Sequence, residues 1–534
     1  MSESIAFLSR SMHIAAILAL LIVPSSTFAQ DLPAGHPPIS GAHTQDARSP
    51  DNKSADSEKA EAKSAGPALP PTSVTHHSIT VAGTAINYTA EAGTIALSGS
   101  DNRTAAEVFY VAYTREPLNT KRPITFVFNG GPGAAAAYLH LGGVGPRAIE
   151  VNAKGEVQGP PPSLIDNPDT WLDMTDLVFV DPVGTGYSRA GEGKSDDKFW
   201  GIEQDTDALA DFVRLYLVKS ARMLSPVFLM GESYGGFRAA ALARALQKSG
   251  ANSPSGIVLI SPVLEFSLLY GEDYDPLSWA LGLPSLAAVN LESKGVTKRD
   301  ALASAVKEAE IYALSDYLVE LASGAEAGGS AASGTVARLT GLPLDLVERR
   351  QARIPPSVFI KEFDRTHSQV LSRYDGSVSS PDPNPTSSWA DAPDPVLDAT
   401  VPLWTAAFVQ YAGSELGYKT DATYRLLNRD ARQKWDFGTT PTHQGYAGVI
   451  SDVQQARSAN PLLQVLIATG YTDLITPYLA STFLVRQLPS LPRASPIQVK
   501  TYAGGHMLYL RPESREALKQ DAKAMYDRAM KAAS

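Results

Sequence analysis

The sequence contains no cysteine. Disulfides, thiolate metal sites and a cysteine nucleophile are excluded together. Positive charge is in short supply as well: 46 Lys and Arg stand against 56 Asp and Glu, for a formal net charge of -10. Without a basic field, nucleic acid and anionic lipid are set aside as partners. Long apolar runs are also scarce. The stretch from Ile14 to Val23 is about half of the ~20 residues a bilayer-spanning helix needs, so no stable membrane anchor is expected. With Arg10 before it and Thr27-Phe28-Ala29 after it, it reads as a signal peptide over residues 1–29. Secretion without cysteine fits a bacterial-style periplasmic or extracellular setting.

What is present begins with a polar stretch. Residues 30–73 are rich in Pro, Ala, Ser, Asp and Lys, which cannot offset ordering entropy by burial, so a disordered linker is expected. His36 and His43 lie there, too far apart to argue for a metal site. From Val74 the pattern is that of a folded protein, and 534 residues with 44% apolar content can bury a large core. Ser78–Val81 and Ile86–Thr89 suggest a hairpin. Val108–Thr114 and Ile124–Asn129 are stronger strands, followed by Leu177–Val180, Val227–Met230, Gly256–Ile260, Leu463–Ala468 and Ile497–Tyr502. Helical patterns at Glu203–Ser220, Phe237–Lys248, Pro477–Leu488 and Pro512–Ala532 alternate with the later strands. This predicts an α/β fold with a mostly parallel sheet covered on both faces. Between Pro262 and about Gly445 the alternation stops. Helices are expected at Lys298–Leu321 and Val336–Ala352, with low-complexity interruptions at Gly324–Gly334 and Ser377–Ser388. The expected division is a core of 74–262 and 446–534, with 263–445 an inserted, mainly helical cap.

The chemistry centres on Gly231-Glu232-Ser233-Tyr234-Gly235-Gly236. An apolar strand precedes it and a helix follows, the context of a nucleophile elbow in an α/β-hydrolase fold. A serine needs a base, and the base needs an orienting acid, in the chain order Ser, Asp or Glu, His. His506 lies in the loop after the last predicted strand. Asp473 follows Leu463–Ala468. The expected triad is Ser233, Asp473 and His506, with His140 and His443 as alternative bases. Asp181 precedes the serine and reads as a turn residue, and His76-His77 as an exposed strand start. The N–H of Tyr234 supplies one oxyanion donor, and Asn129-Gly130-Gly131-Pro132-Gly133 is the loop to supply another.

Taken together, that loop, Asp181-Pro182-Val183-Gly184-Thr185-Gly186-Tyr187-Ser188, the elbow and Gly505-His506-Met507 resemble the serine carboxypeptidases. The resemblance implies Ser233 as nucleophile, His506 as base, Asp473 as its orienting acid, and the N–H groups of Gly131 and Tyr234 as the oxyanion hole. It further implies that Asn129, Gly130 and Glu232 bind the terminal carboxylate of a peptide substrate, and that no cofactor takes part. Three positions depart from the family pattern. Val127 replaces a tryptophan, Ala134-Ala135-Ala136 replaces Cys-Ser-Ser, and Gly143 replaces the acid that shares a proton with the residue at Glu232. The expected activity is removal of C-terminal residues from peptides. An esterase or acyltransferase using the same triad is the alternative, and a non-catalytic binding module is a third, of another class.

Overall fold

The computed structural model describes residues 68–269, 274–390, 392–438 and 446–533. The expected signal peptide, most of the expected linker, and His36, His43 and His443 lie outside these residues. At the start of the fold, β1 (Ser73–Val81) and β2 (Thr84–Ser98) form a hairpin, extended antiparallel by β3 (Thr104–Arg115). The remaining main strands are β4 (Ile124–Phe128), β5 (Asp176–Val180), β6 (Val227–Glu232), β7 (Gly256–Ile260), β8 (Gln464–Gly470) and β9 (Ile497–Tyr502). Their order in the sheet is β1-β2-β3-β5-β4-β6-β7-β8-β9, with the short strand Arg189–Ala190 beside β3. β3 meets β5 antiparallel, and every pairing from β5 onward is parallel.

The residues of the central strands explain why both faces are covered. In β6, Val227 and Leu229 enter one core while Phe228 and Met230 enter the other. β7 repeats the split, with Ile257 and Leu259 against Val258 and Ile260. Strands buried on both sides read as continuous apolar runs, as these do. One core is closed by α1 (Ile202–Lys219), whose Leu209, Phe212, Val213 and Tyr216 form one helical stripe, and by the alanine-rich α2 (Tyr234–Lys248). The other is closed by the C-terminal helix Pro512–Ala533 through Leu518, Ala522, Met525 and Tyr526. Each such apolar side chain contributes roughly 1.5–3 kcal/mol on burial. This is an α/β-hydrolase architecture. No helix among the described residues is long and apolar enough to cross a membrane.

Between β7 and β8 the chain is mainly helical and departs from expectation in detail. The expected helix over Lys298–Leu321 is three short ones, Arg299–Ala305, Lys307–Ala313 and Asp316–Ala322. The breaks serve two separate cores: Leu302, Val306 and Ala313 enter one, and Ala309, Tyr317 and Leu321 the other. A single straight helix offers only one stripe. The supposed interruption at Gly324–Gly334 instead lies largely within the helix Ala325–Thr340. Two of its glycines allow close packing: a Cβ on Gly328 would lie 1.6 Å from the Glu320 carbonyl oxygen, and one on Gly329 2.7 Å from Gln351 Cβ. The expected helix Val336–Ala352 is divided at Gly341, which is left-handed at φ 76°, before Leu344–Arg349. Within Ser377–Ser388, Ser379–Pro381 pairs with Gln369–Leu371 as a small hairpin.

Candidate active site

Ser233 occupies the single position between β6 and α2, at φ 61° and ψ -126°. This is strained backbone for a residue with a Cβ, and it persists only where the surroundings impose it. The Ser233 N–H donates to the Ile260 carbonyl at 2.9 Å, and its own carbonyl accepts from the Gly236 N–H at 2.9 Å. A Cβ on Gly231 would stand 1.8 Å from the Gly235 oxygen, and one on Gly235 2.6 Å from the Phe128 oxygen. Strand, helix and neighbouring strand meet too closely for side chains there, which is why the serine is flanked by glycine on both sides.

His506 follows β9 and Asp473 follows β8, adjacent parallel strands, so the sheet brings them together. His506 Nδ1 lies 2.8 Å from Asp473 Oδ2. The other carboxylate oxygen accepts the N–H groups of Ile475 at 2.8 Å and Thr476 at 2.9 Å, and the Thr476 hydroxyl donates to Oδ2 at 2.6 Å. The acid is thereby fixed and aimed. Both side chains are fully buried. Burial alone lowers the His506 pKa, but Asp473 and then Glu232 outweigh it and the net shift is upward. Nε2 is buried, has no hydrogen-bond partner among the described residues, and lies 3.6 Å from Glu232 Oε1.

The glycine loop after β4 presses against the elbow. A Cβ on Gly130 would meet Ser233 Cβ and the Tyr234 nitrogen at 2.7 Å each, and Gly131 takes φ 101°. Asn129 Nδ2 donates to Glu232 Oε2 at 2.7 Å, while Asn129 Oδ1 accepts the Leu139 N–H at 3.0 Å. Burial pushes the Glu232 carboxyl up and Asp473 adds to this; His506 and Asn129 oppose it without cancelling it. Beneath the loop, the buried Arg238 donates to the Asn129 carbonyl at 2.6 Å and to Asp205 at 2.6 Å. Neither Arg238 nor Thr476 was singled out from sequence. An arginine on the inward face of the helix after the elbow is the signal for the first; nothing local signals the second.

Ser233, His506, Glu232, Gly130, Gly131 and Tyr234 all line one cavity of about 310 Å³. Its wall includes Tyr138, whose buried hydroxyl has no partner among the described residues, together with Tyr374, Arg373 and Arg432. The inner strip 372–376 of the inserted segment is tied to both loops of the site. The Tyr374 carbonyl accepts the His506 N–H, the Arg373 carbonyl accepts the Leu474 N–H, and Asp375 accepts the Thr472 hydroxyl at 2.7 Å. Arg511, five residues after His506, donates to Asp375 at 3.0 Å and to Glu292 at 2.6 Å. At position 143 a Cβ would make an ordinary contact with the ring of Tyr509 at 3.5 Å, and Tyr509 is wholly buried.

The other sequence candidates sit apart from this cavity. His140 is buried in an aromatic cluster, 2.6 Å from the Tyr113 hydroxyl and stacked on Phe179. Asp181 accepts the Ala136 N–H at 2.8 Å, and burial pushes its carboxyl up to about 7. His76 is exposed in β1 beside Glu116.

Residues 83–262 match the family model described as serine carboxypeptidase. The serine carboxypeptidase-like 51 protein of Arabidopsis thaliana is 32% identical over 192 residues, which cover 35% of this chain and 37% of the relative. The pheromone-processing carboxypeptidase of Zygosaccharomyces rouxii is 28% identical over 163 residues, covering 30% of this chain and 22% of the relative. The chain thus spans 37% of the length of the first of these curated relatives and 22% of the second. The crystal structure of a prohormone-processing carboxypeptidase from Saccharomyces cerevisiae aligns over 82% of this chain and 91% of that one, with a TM-score of 0.51 and 16% identity. That likeness is one of fold.

Proposed function

We propose, from the premise that the chain is a relative of the serine carboxypeptidases, that it removes C-terminal residues from peptides through an acyl-enzyme on Ser233. The observation that carries this reading is His506: Nδ1 is bonded to a fixed carboxylate, Nε2 has no hydrogen-bond partner among the described residues, and the residue lines the cavity shared with Ser233. His506 Nε2 takes the proton of the Ser233 hydroxyl as its oxygen attacks the last peptide carbonyl. The negative charge that develops on the carbonyl oxygen is met by the N–H groups of Gly131 and Tyr234. His506 then passes its proton to the departing amine, and water releases the acyl group by the same steps in reverse order of roles. Asp473 keeps the imidazole in the donating tautomer at Nδ1 throughout.

Asn129, Gly130 and Glu232 are the proposed contacts of the substrate's terminal carboxylate. Two carboxyl groups share that site only if one holds a proton, and the upward shift of Glu232 suits it to be the holder. We read 263–445 as a cap that shapes the cavity, and the N-terminal segment as a leader for export to the periplasm or beyond the cell. The glycine at 143 favours one second reading, an esterase or acyltransferase that never meets a carboxylate. Digestion of a mixed peptide library, read by mass spectrometry, decides between them. Ladders shortened one residue at a time from the C-terminus support the carboxypeptidase. Intact peptides alongside hydrolysed esters support the alternative.

A further inference from the structure

The cavity beside Ser233 carries more positive charge than acyl transfer requires. Arg373 reaches it from the strip 372–376, and Arg432 from the short helix Arg429–Gln433. Both residues are exposed, and neither guanidinium has a hydrogen-bond or ion-pair partner among the described residues. Other arginines nearby are paired: Arg429 with Asp398 at 2.6 Å and Arg511 with Glu292 at 2.6 Å. Asp430, on the same short helix as Arg432, forms no ion pair with it, and two other carboxylates of this stretch are already engaged. Asp398 holds Arg429, and Asp394 accepts the Ser372 hydroxyl at 2.7 Å and the Arg373 backbone N–H at 2.8 Å. Both guanidiniums act on the Tyr374 hydroxyl, and the Tyr374 ring meets His506 edge-on at 5.4 Å. Among the described residues, the only carboxylate lining the cavity is Glu232, bonded to Asn129 and facing His506. Two unpaired cations converging on a concave, partly apolar site concentrate a positive field at the place where the chain end must bind.

We propose that Arg373 and Arg432 make this site selective for peptides whose C-terminal residue is Asp or Glu. The inference rests on the carboxypeptidase reading. Every free peptide end brings one carboxylate; a terminal Asp or Glu brings a second. A guanidinium donates two parallel hydrogen bonds to a carboxylate, a geometry that an ammonium donor or a neutral amide acceptor does not reproduce. Terminal Lys and Arg are disfavoured by like charge.

The test is kcat/KM on matched blocked peptides ending in Glu, Gln or Lys, for the full chain and for Arg373→Gln, Arg432→Gln and the double variant. Ser233 labelling by a fluorophosphonate verifies the fold of each. At low salt the wild type should favour Glu over Gln about tenfold. The preference should shrink as ionic strength rises, because exposed charges are screened over ~10 Å at 0.1 M. Each single variant should narrow the Glu-to-Gln ratio, and the double variant should bring it close to one. If Gln-terminated peptides are trimmed as fast as Glu-terminated ones, or the ratio survives the double substitution, the charge inference falls and the carboxypeptidase reading stands. If no peptide is trimmed while Ser233 still reacts with the fluorophosphonate, the reading itself falls and the inference with it.

Discussion

Two histidines in this protein are equally hidden from water, and their surroundings drive them in opposite directions. His140 and His506 are each 1% exposed. Around His140 the partners are neutral: the Tyr113 hydroxyl at 2.6 Å and the Phe179 ring stacked at 4.0 Å. Burial acts alone there and takes its pKa down to about 3. Around His506 two carboxylates stand within 4 Å, and the shift is upward. Burial therefore does not make a histidine a base. What differs between the two is the pair of carboxylates beside His506, which outweigh burial and turn its shift upward.

The strongest way to break this contrast is to remove the reacting groups. Ser233→Ala and His506→Ala should each cost on the order of 10⁶ in turnover, and the double variant little more, since members of a triad act as a unit. Steady-state kinetics on a blocked peptide, with melting curves to verify folding, measures this. A well-folded Ser233→Ala protein that retains activity overturns the assignment. Asp473→Asn should cost about 10⁴, because it mis-sets the tautomer and leaves the base in place. It also removes the largest influence raising His506. The imidazole then loses its proton at lower pH, so the acid limb of the pH–rate profile should move down. A limb that stays in place shows that another group sets it.

A smaller effect tests the other histidine. Between about pH 6.5 and pH 3 the unfolded chain protonates His140 while the folded one does not, so stability falls as pH falls. At pH 4 that amounts to about 3 kcal/mol. His140→Phe keeps an aromatic ring and leaves the Tyr113 hydroxyl its bond to Tyr411 at 2.8 Å. The variant should lose less melting temperature between pH 7 and pH 4 than the wild type does. Parallel losses in the two proteins would place the acid sensitivity elsewhere.

The smallest effect concerns Glu232, the second carboxylate beside His506. Glu232→Gln removes a charge that raises His506, so its acid limb should move down, by less than in Asp473→Asn. For free-acid peptides the substitution should also flatten the alkaline decline, since an amide cannot ionise against the substrate's carboxylate. The two groups titrate as a pair, so both limbs belong to the pair. Matched free-acid and amidated peptides separate the effects. If both substrates change alike, Glu232 does not read the chain end.

The strands of the sheet are legible because the pattern of each is local. Gly256–Ile260 is legible to the residue, and β4 and β5 to within one, as short apolar runs between turn residues; Ile497–Tyr502 is legible to the residue although polar residues interrupt it. The elbow was legible for a steric reason, as Gly231 and Gly235 admit no Cβ. The segment between β7 and β8 was less so. Whether Ala325–Thr340 is a helix depends on Glu320 and Gln351 lying against its glycines, and no window over the glycines contains that fact. The same holds for Tyr509 filling the space beside Gly143, and for Arg373 and Arg432 meeting at one cavity from elements far apart in sequence.

The ties of the strip 372–376 limit how this protein can be recombined. Arg511 holds Asp375 and Glu292 from beyond His506, and Asp375 in turn holds Thr472, next to Asp473. Separating such a largely buried cluster by losing one member costs about 3–5 kcal/mol. The segment between β7 and β8 is thus no detachable module. A chimera that exchanges it whole for a relative's would remove the supports of Asp473 and His506 along with the specificity being transferred. The helices from Arg299 to Arg349 share one core with neighbouring helices of the segment, but Leu302, Val306 and Ala313 pack with Tyr471 and Ala503 near Asp473 and His506, so even exchange confined to these helices reaches that footing.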